Sequence, residues 1–168
     1  TGTGLVCEDA AEAAGKARLV FLTTPDTVIE PVCRELSGKK AFDAGHTLFH
    51  LSGALSSGIL SSAKACGALI GSIHPLQAFA PYEAGQTSPF SGINISIEGD
   101  AGAVEKGKAI AAALGANSFT IPTHAKTLYH ASAVVASNYL VTLEHFALKL
   151  LKQADLSEQE AYRILEPL

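Results

Sequence analysis

The sequence predicts an α/β fold, part of a parallel sheet with helices between its strands, followed by an all-α C-terminal domain. Three observations carry this. Short β-branched and aromatic runs alternate with stretches of helical periodicity as far as residue 121. Polar residues and turn formers follow the first three of those runs at matching places. From Thr123 to Ala154 there is no Gly or Pro, and apolar residues fall on nearly every helical face.

The first strand is read in Ala17–Thr24, ending at Pro25-Asp26. Asp26 is placed to cap a helix whose apolar positions are Val28, Ile29, Val32, Cys33 and Leu36. Ser37-Gly38-Lys39-Lys40 stops it. A second strand follows at Thr47–Leu51, then a Ser/Gly/Ala/Leu helix from Ser56 to Cys66, closed by Gly67. Leu69–Ile73 is a third strand running into His74-Pro75. Pro75 to Gly92 is loop-like, with Pro75, Pro81 and Pro89. Ile93–Glu98 alternates apolar and polar, the pattern of a half-exposed strand near a sheet edge. A helix over Ala101–Leu114 and a strand over Asn117–Ile121 complete the α/β part. Ser157 is the expected cap of a last short helix. The division is expected at Pro122, giving residues 1–122 as α/β and 123–168 as all-α. The long helix, apolar all round, is expected to be buried in a core or against a second subunit.

Composition narrows the function. Hydrophobic residues make up 48% and charged residues 17% of 168, which supplies a core and argues against disorder. The net charge of -4 comes without a basic stripe, so nucleic acid is not an expected partner. Cys7, Cys33 and Cys66 form no CxxC pair, which argues against a zinc knuckle or redox dithiol and for a reducing, cytoplasmic setting. No apolar run is long enough to span a membrane and no signal peptide is visible. The chain begins Thr1-Gly2-Thr3-Gly4 and contains no Met, which reads as a piece of a longer protein.

Ligands of open α/β sheets bind beyond the carboxyl ends of the strands. Three sets of residues are expected there: Thr23-Thr24-Pro25-Asp26, His50-Leu51-Ser52-Gly53, and Ser72-Ile73-His74-Pro75-Leu76-Gln77. The first reads foremost as a helix-capping turn and alternatively as a loop passing a nucleotide. Ser52-Gly53 reads equally as a strand-to-helix turn or as a ligand-approach site, Gly53 allowing close backbone approach. His74 is held extended by Pro75, either as a structural histidine or as one presented to a ligand. Lys126, His130 and Ser137 fall on nearly one helical line, with Asn138 beside it. A lysine in so apolar a helix either faces a polar cavity or snorkels from an exposed first turn. His46, His50, His124 and His145 lack carboxylate partners at metal-ligand spacing, and no metal is expected.

Taken in order, Thr24-Pro25-Asp26, His50-Leu51-Ser52-Gly53, Gly71-Ser72-Ile73-His74-Pro75-Leu76-Gln77, Lys126-Thr127-Leu128-Tyr129-His130 and Ala136-Ser137-Asn138-Tyr139-Leu140 resemble bacterial Rossmann-like proteins with a C-terminal DUF2520 domain. These are related to coenzyme-F420-dependent NADP oxidoreductases, pyrroline-carboxylate reductases and 3-hydroxyisobutyrate dehydrogenases. The resemblance implies a Rossmann-type sheet, NADP or NAD as cofactor, and a helical domain like that of 6-phosphogluconate dehydrogenase. It also implies a homodimer formed through that helical domain. It further implies that Thr24, Pro25, Asp26, Ser52 and Gly53 lie along the cofactor, and that Lys126 is the catalytic lysine. The family's first strand and Gly-x-Gly-x-x-Gly turn would precede residue 1.

The expected function is hydride transfer to or from a small carbonyl, imine or hydroxy-acid substrate. Lys126 is assigned as acid or oxyanion stabiliser and His74 and His130 as proton relay or orienting groups. Gln77, Ser137 and Asn138 are assigned to substrate binding. The rival is a non-catalytic NAD(P)-binding or dimerisation protein. A weaker rival is a prephenate-dehydrogenase-like enzyme, suggested by His74-Pro75; it would need an arginine cluster, and the chain has only Arg18, Arg34 and Arg163.

Overall fold

The computed structural model describes residues 4–79 and 88–167. Thr1–Thr3 and the stretch around Pro81, part of the expected loop, lie outside the described residues. The chain forms two compact units, Thr1–Thr127 and Leu128–Leu168.

The first unit opens with a helix not anticipated above, α1 (Ala10–Gly15), whose N-terminus is capped by Asp9 accepting from the Ala11 amide at 2.8 Å. Five strands then form one sheet: β1 (Leu19–Leu22), β2 (Thr47–His50), β3 (Leu69–Pro75), β4 (Asn94–Gly99) and β5 (Asn117–Thr120), ordered β1-β2-β3-β4-β5. β1, β2 and β3 are parallel, β4 is antiparallel to β3, and β5 is parallel to β4. A parallel return needs a crossover segment, usually a helix. The sequence between Pro75 and Ile93 has no helical pattern, in keeping with the antiparallel turn-back.

Helices cover both faces. α2 (Asp26–Gly38), a 3-10 turn (Ser57–Leu60) and α3 (Ser61–Ala65) pack Ile29, Cys33, Leu36, Leu60 and Ala63 against Leu22, Leu48 and Ile70. α4 (Ala101–Ala113) packs Ala103 and Ala111 against Phe49, Ile73, Ile95 and Ile97 on the other face. Each fully buried Leu, Ile or Phe contributes roughly 1.5–3 kcal/mol. Asp26 differs from its expected role: Pro25 occupies the N-cap of α2 and Asp26 is its first residue, freeing the carboxylate for another partner.

β4 also departs from expectation. It is not a half-exposed strand, since four of its six residues are buried, Ser96 and Glu98 among them. β5 covers its outer edge, so the exposed positions fall on β5. Gly99 ends β4 at φ 137°, where a Cβ would stand 2.4 Å from the Ile70 carbonyl oxygen. Only glycine fits that crossing.

The second unit is helical. α5 (Lys126–Val134) starts within the first unit and passes through a π-helical turn (Val135–Tyr139) into α6 (Leu140–Gln153), and α7 (Glu158–Leu165) follows. The expected Ser157 cap is present and reciprocal: the Glu160 amide donates to Ser157 Oγ at 3.3 Å, and the Ser157 amide to Glu160 Oε2 at 3.0 Å. Of the two covers expected for the long helix, the chain's own core does not supply one for α6, none of whose residues is buried within the chain; Val141, Leu143 and Phe146 are 58–65% exposed. Apolarity on all faces calls for a cover without naming it.

Candidate functional site

Strand register builds the site. Leu22, His50, Ser72 and Glu98 are successive cross-strand partners, so they form one row on the face covered by α2 and α3. Leu48 and Ile70, two residues back along β2 and β3, belong to the apolar core of that face. The face therefore turns from apolar to polar within two residues, at the level where β1 and β2 end.

His50, Ser72, Glu98 and Lys126 are all at most 1% exposed. Lys126, first residue of α5, donates from Nζ to Ser72 Oγ at 2.7 Å. Ser72 Oγ in turn lies 3.4 Å from the Ser52 carbonyl oxygen as a long donor contact. Ser52 Oγ donates to Asp26 Oδ2 at 2.7 Å and accepts from the Leu55 amide at 3.0 Å, tying the turn after β1 to the turn after β2. Both oxygens of Glu98 are used by Ser57, whose amide and hydroxyl donate at 2.6 and 2.7 Å.

The electrostatics follow from burial. His50 Nδ1 accepts from the Ser52 amide at 3.2 Å, so in the neutral ring the proton sits on Nε2. Burial first, and then the nearby Lys126 ammonium, push the His50 pKa down to about 4. Burial brings Lys126 down to about 8, with the carboxylates of Glu98 and then Asp26 pushing back. A lysine that exchanges its proton near neutral pH is suited to acid–base work.

Of the residues singled out from sequence, Lys126, Ser52 and Asp26 come together in this network. Lys126 is buried and does not snorkel. Gly53 is buried beside Ser52, while Thr24 and Pro25 are exposed on the turn after β1. His74 is half-buried on the same face as Ser72, paired in register with Ser96, and Gln77 is exposed beyond the end of β3. His130, Ser137 and Asn138 belong to the second unit. There His130 is half-buried on α5, and Ser137 and Asn138 are exposed on the π-helical turn. Such turns recur at functional sites. His50 and Ser72 stand in the strand-end sets expected from sequence but carry no assigned role there, and Glu98 is in none; the signal that joins the three is cross-strand register.

Other residues lie elsewhere. His46 is buried against Asp43 at 2.8 Å, and Arg18 pairs with Asp43 before β1 and β2 begin, at the far end of the strands. Among the described residues no group of three or more His, Cys, Asp or Glu side chains is arranged to hold a metal. None of their helices is long and apolar enough to cross a membrane.

A mainly parallel sheet covered by helices on both faces, with a polar row at its strand ends and a helical unit after it, defines a Rossmann-like α/β protein. Residues 6–75 match the Rossmann-like domain, and residues 93–168 match the domain of unknown function DUF2520. The chain thus joins a Rossmann-like domain to a DUF2520 domain, the second including β4, α4 and β5.

Among solved structures, protein TM1727 from Thermotoga maritima is similar at 30% identity and a TM-score of 0.70, over 90% of this chain and 57% of that one. A reductive aminase from Aspergillus terreus, in complex with NADPH and ethyl-5-oxohexanoate, aligns at 13% identity and 0.68, over 92% and 53% of the two chains. A Plasmodium falciparum pyrroline carboxylate reductase with NADP bound aligns at 11% and 0.65, over 92% and 55%. The last two share the fold with this chain. The chain spans a little over half the length of these three structures. No curated protein matches the sequence.

Proposed function

We propose that this chain is part of a cytoplasmic NADP- or NAD-dependent oxidoreductase that transfers a hydride to or from a small carbonyl, imine or hydroxy-acid substrate. The observation that carries this reading is Lys126: a fully buried ammonium held on Ser72, at the sheet edge where α/β proteins bind ligands. Stability alone gives no reason to bury a lysine there.

The turns after β1 and β2 fit the sugar and nicotinamide end of such a cofactor. Thr24 offers an exposed hydroxyl, and the Asp26–Ser52 link holds the two turns together at 2.7 Å. The Asp26 carboxylate suits hydroxyl groups better than a phosphate. Thr24, Pro25, Asp26, Ser52 and Gly53 are the residues assigned to hold it. When bound, the nicotinamide supplies or accepts the hydride. Lys126 delivers a proton to the developing alkoxide oxygen or amine nitrogen, or takes one in the reverse direction. His74, Gln77, His130, Ser137 and Asn138 are assigned to orienting the substrate.

Thermal unfolding with NADPH and with NADH tests this, using both this chain and the gene product read from its own start codon. A ligand bound only by the folded state adds about 2.7 kcal/mol at a hundred times its Kd. A rise with one nucleotide supports the reading and chooses between them. No rise in either well-folded protein sinks it and leaves the non-catalytic dimerisation module in front.

The second unit supports a homodimer through its helices. Leu140, Val141, Leu143, Tyr162 and Leu165 line an open groove of about 900 Å³ within it. Exposed apolar surface on this scale marks an interaction site, and a second copy presents the same face. Replacing Leu143 and Phe146 by Asp together is expected to halve the sedimenting mass. An unchanged mass would remove this face from the dimer.

A further inference from the structure

We propose that Glu98 is the positioning residue of this site: its buried carboxylate is the counter-charge against which the Lys126 ammonium is held on the His50–Ser72–Glu98 row, and its mechanistic meaning rests on reading Lys126 as the proton-transfer group.

Three observations support it. Glu98 and Ser72 are direct cross-strand partners, and Ser72 Oγ is the acceptor for Lys126 Nζ, so the two charges flank one residue. Directly opposed side chains in an antiparallel pair start about 4.5–5.5 Å apart at Cβ. Glu98 and Lys126 are each 1% exposed, and among the described residues they are the only buried carboxylate and the only buried Lys or Arg. Two opposite charges are thus buried in one polar row, where opposite charges favour each other's charged form. Finally, the hydrogen bonds made by Ser57 satisfy both Glu98 oxygens but bring no charge, so they leave the carboxylate's electrostatic need unmet.

Among the described residues, the other charged or titratable groups that act on Lys126 or lie in its row do not supply the same thing. His50 on β2 is neutral until about pH 4 and, once charged, would repel the ammonium. Asp26 at the start of α2 is exposed to water, which screens it, and accepts from Ser52. Glu98 is accordingly the larger of the two carboxylate influences that oppose the effect of burial on Lys126.

A purely structural rival exists: Glu98 clamps the Ser57 turn and nothing more. NMR titration of ¹³Cε-labelled lysine separates the two without cofactor or substrate. The Lys126 signal is assigned by its loss in Lys126→Met. In Glu98→Gln the Lys126 midpoint is expected to fall more than tenfold in proton affinity, as removal of an opposite charge in a buried site implies. Glu98→Asp, which keeps the charge and shortens the reach to Ser57, should leave it nearly in place. A Glu98→Gln midpoint equal to that of the wild type overturns the proposal, as does an Asp midpoint shifted as far as the Gln one.

A second measurement needs no titration. If each charge is buried against the other, Glu98→Gln/Lys126→Met should melt at a higher temperature than Glu98→Gln alone. A double variant no more stable than that single one also overturns the pairing. Shifted midpoints in a complete protein that turns over no carbonyl, imine or hydroxy acid would instead sink the oxidoreductase reading and leave the Glu98–Lys126 pair standing.

Discussion

Lys126→Met is expected to lower turnover of the complete protein about a thousandfold, within the 10²–10⁴ range of a positioned acid or base, while NADP affinity changes less than about threefold. The split follows from placement. Lys126 binds Ser72 in the buried row, whereas the residues assigned to the cofactor lie on the turns after β1 and β2. The pH profile gives an independent check. A lysine that must donate its proton works below its pKa, so the reductive rate should be flat at low pH and fall about tenfold per unit above pH 8. The oxidative rate needs the free amine and should rise through the same point. Comparable loss of cofactor affinity and turnover in Lys126→Met would move the lysine out of the proton-transfer role.

The order of secondary structure was largely readable because its signals are local. Each of the first three strands is a short, mainly apolar run bounded by turn residues, and α2 repeats Ile29, Cys33 and Leu36 at helical spacing. The direction of β4 and its burial were not local. Alternation in Ile93–Glu98 distinguishes two faces, but only the later pairing with β5 decides that both are covered. The candidate site divides in the same way. Lys126 was legible because an ammonium in an apolar helix is energetically conspicuous. Ser72 was legible only as a residue near a strand end, and its pairing with Glu98 was not, because the two are 26 residues apart in sequence and become neighbours only through the β3–β4 register. The π-helical turn at Ser137 and Asn138 leaves no trace in periodicity, since one widened turn shifts the pattern by a single residue.

The buried row should also make the fold acid-labile over a defined range, and His50 is the group responsible. Its folded-state pKa is about 4 against 6.5 for an ordinary histidine. Between those values the unfolded chain binds a proton that the folded chain refuses, so stability falls as pH drops from about 6.5 to about 4 and levels off below. At 1.36 kcal/mol per unit the loss attributable to His50 is roughly 3 kcal/mol, a large part of the stability of an ordinary domain. Urea denaturation across that range should show it, and His50→Gln should flatten the curve even if it lowers stability at pH 7. The Lys126 ammonium opposes protonation of His50, so Lys126→Met should also weaken the pH dependence, by a smaller amount. Equal slopes in the wild type and His50→Gln would assign the acid sensitivity to the carboxylates and remove His50 from it. The same row that makes Lys126 titratable near neutral pH thus keeps His50 uncharged, since burial disfavours the charged form of both side chains. Proton exchange at this sheet edge therefore falls to Lys126 alone of the two.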